Sequence, residues 1–455
     1  MENPKRFKQD LLRDLPDALI FDIFWRLPMT DVVRTSVLSK RWRHFWTAAP
    51  FLNFDNRAVL FDHNRLRNFV NRALLCWNGN SVLKFRFHSG YQFVSSMFHD
   101  VDLWVNFAQR NGVEELHLHV LCSPRVARHG FDGNDVYCVP PCLYSCSSLT
   151  ELTLEHCNLK KIYGNVQWNQ LKSLRLNGLR ANADVIHQIL CATPQLEVFY
   201  LRYYNKGGNL SMTIQSTSLK KLSVIKYILG PEDVLQLRIC APNLETLVIS
   251  GIPYIQCLLT DVSSLRSALI GLCHSWQVEF SNVLSQILPT IQHVPKVTLS
   301  DCCTKVLGAM KMKCAYSAFP NVKSLELRCC VDDYKQVLGI LEMFPQLERL
   351  KISDKKVVGH QGDTESVKFE ANPPESFLLR LRKIEVTWSE GYTIFPLIEI
   401  LLKYASKLEK IVFQLNEIKS PATSDSLFLV SQKLLEMRRS STNCTINLTK
   451  LRLQP

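Results

Sequence analysis

Cysteine and histidine are the residues of this 455-residue chain with the widest chemical range, and there are sixteen cysteines. Cys138, Cys142 and Cys146 fall at four-residue intervals, beside two prolines. His117 and His119 lie two apart, so a strand would place both on one face. Both patterns suggest metal ligands. A zinc site, however, draws three or four ligands from paired C-x-x-C or C-x-x-C…H-x-x-x-H spacings. The chain contains no such pairing, and no third ligand accompanies the two histidines. The stretch from Leu11 to Trp46 holds no nucleophile–base pair and no glycine-rich phosphate loop. No residue is expected to act as acid, base or nucleophile, and no metal is expected.

The cysteines find another role in the elements that carry them. From Val82 onward the order apolar, two variable, apolar, one variable, apolar recurs. The clearest copy is LTELTLEHCNL, Leu149 to Leu159. Others begin at Val82, Val113, Leu171, Leu196, Leu219, Leu244, Leu265, Val294, Val322, Leu347, Leu381 and Leu408, thirteen in all. Most intervals run from 21 to 29 residues, and three are longer, at 31, 36 and 34. This period and spacing are the signature of a leucine-rich-repeat solenoid. Each unit supplies a short strand whose alternate side chains face the core, and stacked neighbours provide the cover that one unit lacks. Cys157, Cys273, Cys302 and Cys330 sit three positions after the third apolar residue, where such repeats favour a small buried side chain.

Helical patterns separate several strands: Ala183 to Glu197, Asp332 to Glu348 and Phe395 to Glu409. Pro194, Pro242 and Pro345 act as stops, because the residue before proline is pushed out of helical geometry. The expected fold class is α/β: a horseshoe arc with parallel strands on the inner wall and helices or loops outside. Outward strand positions on that wall are the natural place for a partner. Arg175 and Arg202 are read as near-equivalent positions on neighbouring strands, with Tyr200 and Tyr203 nearby. Arginine and tyrosine are frequent interface anchors, so Glu155, Arg175, Tyr200, Arg202 and Tyr203 are the candidate target-binding residues. The same positions also suit a solvated wall without a ligand.

The front of the chain is different. In LLRDLPDALIFDIFWRLPMTDVVRTSVLSKRWRHFW, Leu15, Leu19, Ile20, Ile23, Phe24 and Leu27 recur at helical spacing. Thr30 and Asp31 offer an N-cap and a first-turn carboxylate to a second helix carrying Val32, Val33, Val37 and Leu38. Ser39 offers a cap to a third, which presents Trp42, Phe45 and Trp46. Some forty residues bury too little surface for an independent core. Their apolar excess either leans on the rest of the chain or docks another protein, and pattern alone leaves both readings open.

The run L-P-x-x-L-I-x-x-I-F-x-x-L-P, followed by D-V-V-R-T-S-V-L-S-K-R-W-R, closely resembles the F-box of plant proteins. The resemblance implies binding to the Skp-type adaptor of an SCF ubiquitin ligase, and through it to cullin and RING subunits. The matching positions are Leu15, Pro16, Ile20, Ile23, Leu27, Val33, Val37, Leu38 and Trp42. Residues 367–455 resemble the FBD domain that follows leucine-rich repeats in plant F-box proteins, through Phe377-Leu378-Leu379, LRKIEV, the helix around Ile398 to Ala405, and LEKIVF. A final helix, Leu427 to Arg438, and the strand Cys444 to Leu448 would close the array. Some relatives hold an inositol polyphosphate in a basic pocket; the candidates here are Lys160, Lys161, Lys172, Arg175 and Arg202, and no other cofactor is implied. The expected division is a tail (1–10), an F-box (11–50), a connecting segment with one helix around Arg65 to Trp77 (51–81), repeats (82–366) and the FBD-like end. PFLNFDNRAVLFD is read as an extended connector, and the polar stretch Asp354 to Ser376 as a surface loop.

The totals agree with a folded protein: 46% hydrophobic and 21% charged residues. No apolar h-region is visible at the start, and no uninterrupted apolar run reaches membrane-spanning length. A soluble protein of nucleus or cytoplasm, without a membrane partner, is expected. The net charge of +13 is spread along the chain rather than clustered, which argues against nucleic acid as the partner.

Overall fold

The computed structural model describes residues 15–57, 62–90, 93–121, 136–159, 162, 164–180, 182–204, 210–227, 235–251, 255–271, 280–300, 302–304, 306–307, 319–328, 334–353, 378–388, 394–416, 432–434 and 436–451. The chain divides into two compact units, residues 1–206 and 207–455.

In the first unit, Pro16 takes an extended conformation and starts helix α1 (Asp17–Arg26), with Asp17 in the first turn and Arg26 in the last, each suited to the helix dipole. Leu27 is extended, as a residue before proline must be, and Pro28 starts α2 (Met29–Arg34). The expected Thr30 cap is therefore corrected: Thr30 lies inside the first turn, and α2 has no side-chain cap. The chain tightens into a 3₁₀ turn, Thr35–Val37. The Ser39 Oγ then accepts the Trp42 N–H at 3.2 Å and helps to set α3 (Trp42–Phe45). Ile20, Phe24, Met29, Val32 and Trp42 fill the interior, and the Phe24 and Trp42 rings meet edge-on at 5.6 Å.

The expected connector is instead the first strand, β1 (Phe51–Asp55), paired in parallel with β2 (Lys84–His88). Leu52 and Phe54 alternate into the core, a signal too short to stand out from a loop. Between them runs α4 (His63–Cys76), whose first turn is capped by Asp62 accepting the Arg65 N–H at 2.9 Å. Then follow α5 (Phe98–Arg110), β3 (Glu115–His119), the short β4 (Tyr137–Cys138), β5 (Glu151–Glu155), the short β6 (Cys157–Asn158), β7 (Ser173–Arg180), the helix Ala183–Cys191 and β8 (Val198–Tyr204). Within this unit the parallel order is β1-β2-β3-β5-β7-β8, with β4 and β6 paired separately. The three-helix front is bonded to these repeats. Trp77 Nε1 donates to the Ala49 carbonyl at 2.9 Å, and Asn53 Nδ2 to that of Leu27 at 3.3 Å.

The second unit has a parallel run of Lys221–Tyr227, Thr246–Ser250, Ser267–Gly271, Lys296–Ser300, Ser324–Arg328, Arg349–Ser353, Lys383–Trp388, Lys410–Asn416 and Thr445–Leu451. The helices Tyr334–Leu341 and Phe395–Tyr404 stand where their periodicity places them. The expectation of helices or loops between strands fails at three crossings. Leu210–Gln215, Leu235–Cys240 and Ile255–Thr260 form a second parallel sheet. The reason is their period of two: Met212 and Ile214, Leu237 and Ile239, Cys257 and Leu259 are buried. Gly251, at φ +86°, closes a turn in which a Cβ would stand 1.9 Å from the Lys226 carbonyl oxygen. No other residue type fits there.

Each of the thirteen repeat-starting residues is buried, and a strand begins two positions after each. A buried leucine of this kind contributes about 1.5–3 kcal/mol in transfer terms. Cys157 and Cys302 are buried as their repeat position implies; Cys273 and Cys330 lie outside the described residues. So does the polar stretch 354–376; of the expected final helix Leu427 to Arg438, residues 432–434 and 436 are helical and 437–438 are not, and the others lie outside the described residues.

Candidate functional site

Two surfaces of the first unit carry the residues singled out by sequence. The first is the helical front. Of the nine matched positions, Ile20 and Trp42 are buried and hold the helices together. Leu15, Leu27 and Val33 are half-buried, and Pro16 is exposed. Ile23, Val37 and Leu38 are exposed at 37%, 87% and 48%, joined by Leu19 at 51%, one helical turn before Ile23. Leu19, the second leucine of the L-P-x-x-L-I run, belongs to this face although it is not among the nine positions. Arg41 pairs with Asp17 and so ties the segment after Leu38 to the first turn of α1. Thus the apolar excess is divided: the aromatic side is satisfied within the chain, while a set of branched side chains meets water.

The second surface is the open face of the parallel sheet. Strand register sorts its side chains into rows. A middle row runs Asn53, Arg86, His117, Thr153, Arg175, Tyr200. The next runs Asp55, His88, His119, Glu155, Asn177, Arg202. Arg175 is therefore level with Tyr200, its guanidinium 6.0 Å from that ring, and Arg202 is level with Asn177. The expected equivalence of the two arginines is corrected by one row. Tyr203 leaves the candidate set: alternation puts Phe199, Leu201 and Tyr203 in the core, and Tyr203 has 0% exposure. The anion-pocket candidates do not share one row. Lys172 precedes β7 outside both rows, Arg175 and Arg202 occupy different rows, and Lys160 and Lys161 lie outside the described residues.

The second row is a polar cluster of which the sequence singled out His119, Glu155 and Arg202 but not His88. The His88 and His119 rings stack with centroids 3.7 Å apart, and His156 meets His119 edge-on at 5.1 Å. Burial pushes His88 down to about 4 and His119 to about 3, so both are neutral at pH 7. His88 Nδ1 accepts the Gly90 N–H at 3.2 Å, which leaves its proton on Nε2. Glu155 is held down to about 2, chiefly by its hydrogen bond from His117 Nε2 at 3.2 Å, and it also accepts from Asn177 Nδ2 at 3.3 Å. His156 adopts φ 56° and packs its ring where a Cβ on Gly178 would stand, 2.7 Å from its Nδ1. Register alone brings these groups together, because they come from four strands and the turn after β5.

Trp25 links the two surfaces. Its ring meets Phe51 edge-on at 5.4 Å and lies under Lys84 at 4.2 Å and Arg86 at 5.5 Å. A groove of about 420 Å³ lies along Ala18, Phe21, Asp22, Trp25, Phe51 and Lys84. The available signal was an aromatic residue set off the leucine stripe of α1.

Among known proteins, the F-box family model matches residues 12–54, and the model described as "FBD-associated F-box protein At5g56370, LRR repeats" matches residues 101–352, more than half of the chain. The chain is 29% identical over 357 residues to the putative F-box/LRR-repeat protein At5g02930 of Arabidopsis thaliana, covering 75% of this chain and 71% of that one. It is 24% identical over 457 residues to the FBD-associated F-box protein At5g56370 of the same plant, covering 96% and 99%. It is 31% identical over 219 residues to the F-box/FBD/LRR-repeat protein At1g13570, covering 47% and 48%. A three-helix front with an exposed branched-apolar face, followed by parallel repeat strands and matched by both family models, places this chain in the plant F-box/FBD/leucine-rich-repeat family.

Proposed function

We propose that the chain is the target-recognition subunit of an SCF-type E3 ubiquitin ligase, working in nucleus or cytoplasm. The front docks a Skp-type adaptor and through it cullin and RING subunits. The repeats, arranged as an arc, hold a target protein on the open face of the sheet. The chain itself is not an enzyme in this reading. It raises the effective concentration of target lysines near the charged conjugating enzyme, which performs the chemistry.

The observation that carries the reading is the exposure of Leu19, Ile23, Val37 and Leu38 on helices whose interior is already filled. Branched side chains left in water beside a packed aromatic core mark a surface meant for a partner. The test is co-purification of a Skp-type adaptor with the full chain. Val37→Asp with Leu38→Asp should abolish capture and leave the circular dichroism spectrum unchanged, because both side chains are exposed. Undiminished capture by that variant defeats the proposal.

A further inference from the structure

The middle row of the open face carries two arginines whose guanidinium groups find no carboxylate within ion-pair distance among the described residues. Arg86 lies over Trp25 and Arg175 over Tyr200. Arg86 Nε is buried without a hydrogen-bond partner. Thr153, between them in the row, belongs to the groove formed with Trp25, Arg86 and His117. No carboxylate stands in this row. Those beside it are engaged: Asp55 by Arg57 at 2.6 Å, Glu115 by Lys84 at 2.8 Å, and Glu155 by His117 and Asn177. Glu151 is exposed at the margin of the same groove. Aromatic faces hold the two guanidinium groups in place without neutralising them.

Arg86 on β2 and Arg175 on β7 are three strand steps apart, roughly 14 Å at about 4.8 Å per step. An extended chain rises about 3.4 Å per residue and points alternate side chains the same way, so residues four apart on one side are also roughly 14 Å apart. From this match we infer that the Arg86–Thr153–Arg175 row binds an extended segment of the target carrying two anionic side chains four residues apart. The anions are Asp or Glu carboxylates or phosphorylated serines. Arginine donates to either in bidentate fashion, and a phosphate carries more charge. The inference rests on the target-binding half of the proposed function, and not on adaptor docking.

The test uses the purified full chain and fluorescein-labelled nine-residue peptides on a Gly/Ser/Val background, read by fluorescence anisotropy at 100 mM salt. Peptides with Glu at i and i+4 should bind, as should those with phosphoserine at the same positions. Glu at i and i+3, which points to opposite sides, should bind at least fivefold more weakly, and Lys at i and i+4 should not bind. Arg86→Gln and Arg175→Gln should each weaken the i,i+4 peptides at least tenfold. A phosphoserine preference above tenfold assigns the site to modified targets, and near-equality assigns it to acidic ones. Four results overturn the inference: no binding of any acidic peptide, equal binding of the Lys or i,i+3 peptides, no loss in Arg175→Gln, or tighter capture of single-stranded RNA lost in the same variants. Adaptor capture is measured in parallel. Peptide binding without adaptor capture defeats the ligase reading alone, and adaptor capture without peptide binding defeats this inference alone.

Discussion

Trp42 and Val37 belong to one sequence motif, yet the structure gives them opposite duties, and paired truncations separate the two. Trp42 is 2% exposed and meets Phe24 edge-on at 5.6 Å, whereas Val37 is 87% exposed. Trp42→Ala removes a filled aromatic volume, a loss of about 3–5 kcal/mol. Within a cooperative unit of some 200 residues, where each kcal/mol moves the midpoint by about 2–4 °C, the expected fall in Tm is roughly 6–20 °C. Val37→Ala deletes two methyl groups already in water, so its stability change stays within about 0.5 kcal/mol. At a buried contact with an adaptor the same deletion costs about 1–2 kcal/mol, some five- to thirtyfold in Kd. Differential scanning fluorimetry of the free chain and isothermal titration with a Skp-type adaptor read the two effects separately. If Val37→Ala lowers Tm by several degrees, or Trp42→Ala leaves Tm unmoved while abolishing adaptor binding, the division into filled interior and docking face is refuted.

Gly251→Ala should be among the most disruptive single-atom additions, because its Cβ would stand 1.9 Å from the Lys226 carbonyl oxygen at φ +86°; loss of soluble protein, or a drop of several kcal/mol in chemical denaturation, checks it. Acid should destabilise the first unit. His88, His119 and Glu155 all have folded values below their ordinary ones, so the unfolded chain takes up protons first. Stability present above about pH 6.5 is lost as pH falls through about 4 for His88, and the Glu155 share is lost between about 4.5 and 2; Glu155→Gln should flatten the lower part of the Tm–pH curve. Trp25→Ala should cost about 1–3 kcal/mol through its lost contacts with Phe51, Lys84 and Arg86, seen as faster amide exchange in Phe51–Asp55. Burial raises the Cys157 thiol, so a thiol reagent should label exposed Cys76 and Cys191 at once and Cys157 only on unfolding.

The thirteen repeat starts could be read in the chain because each is a local pattern: a buried apolar residue, and a strand two positions later with alternate side chains inward. The helices Ala183–Cys191, Tyr334–Leu341 and Phe395–Tyr404 were legible through their 3.6-residue period. The plant F-box motif was legible as a string. Its division into Ile20 and Trp42 inside, and Val37 and Leu38 outside, was not, because helical spacing gives a face but not what covers it. Tyr203 was misplaced for want of strict alternation, which Phe199 and Leu201 already implied. The strand Phe51–Asp55 and the sheet containing Leu210–Gln215 gave only short alternations, whose state depends on neighbours distant in sequence.

Periodicity within about thirty residues therefore determined the thirteen repeat starts and the longer helices between them, since each unit's core pattern is written in its own side chains. Only the tertiary structure decided which side chains touch across the strands. Counting four positions on from each repeat start already levels Arg86, His117, Thr153, Arg175 and Tyr200, and strand pairing keeps that register, but ring stacking and carboxylate partners are set by the packed geometry. That geometry stacks His88 on His119, gives Glu155 to His117, and leaves Arg86 and Arg175 three strands apart with no carboxylate partner among the described residues.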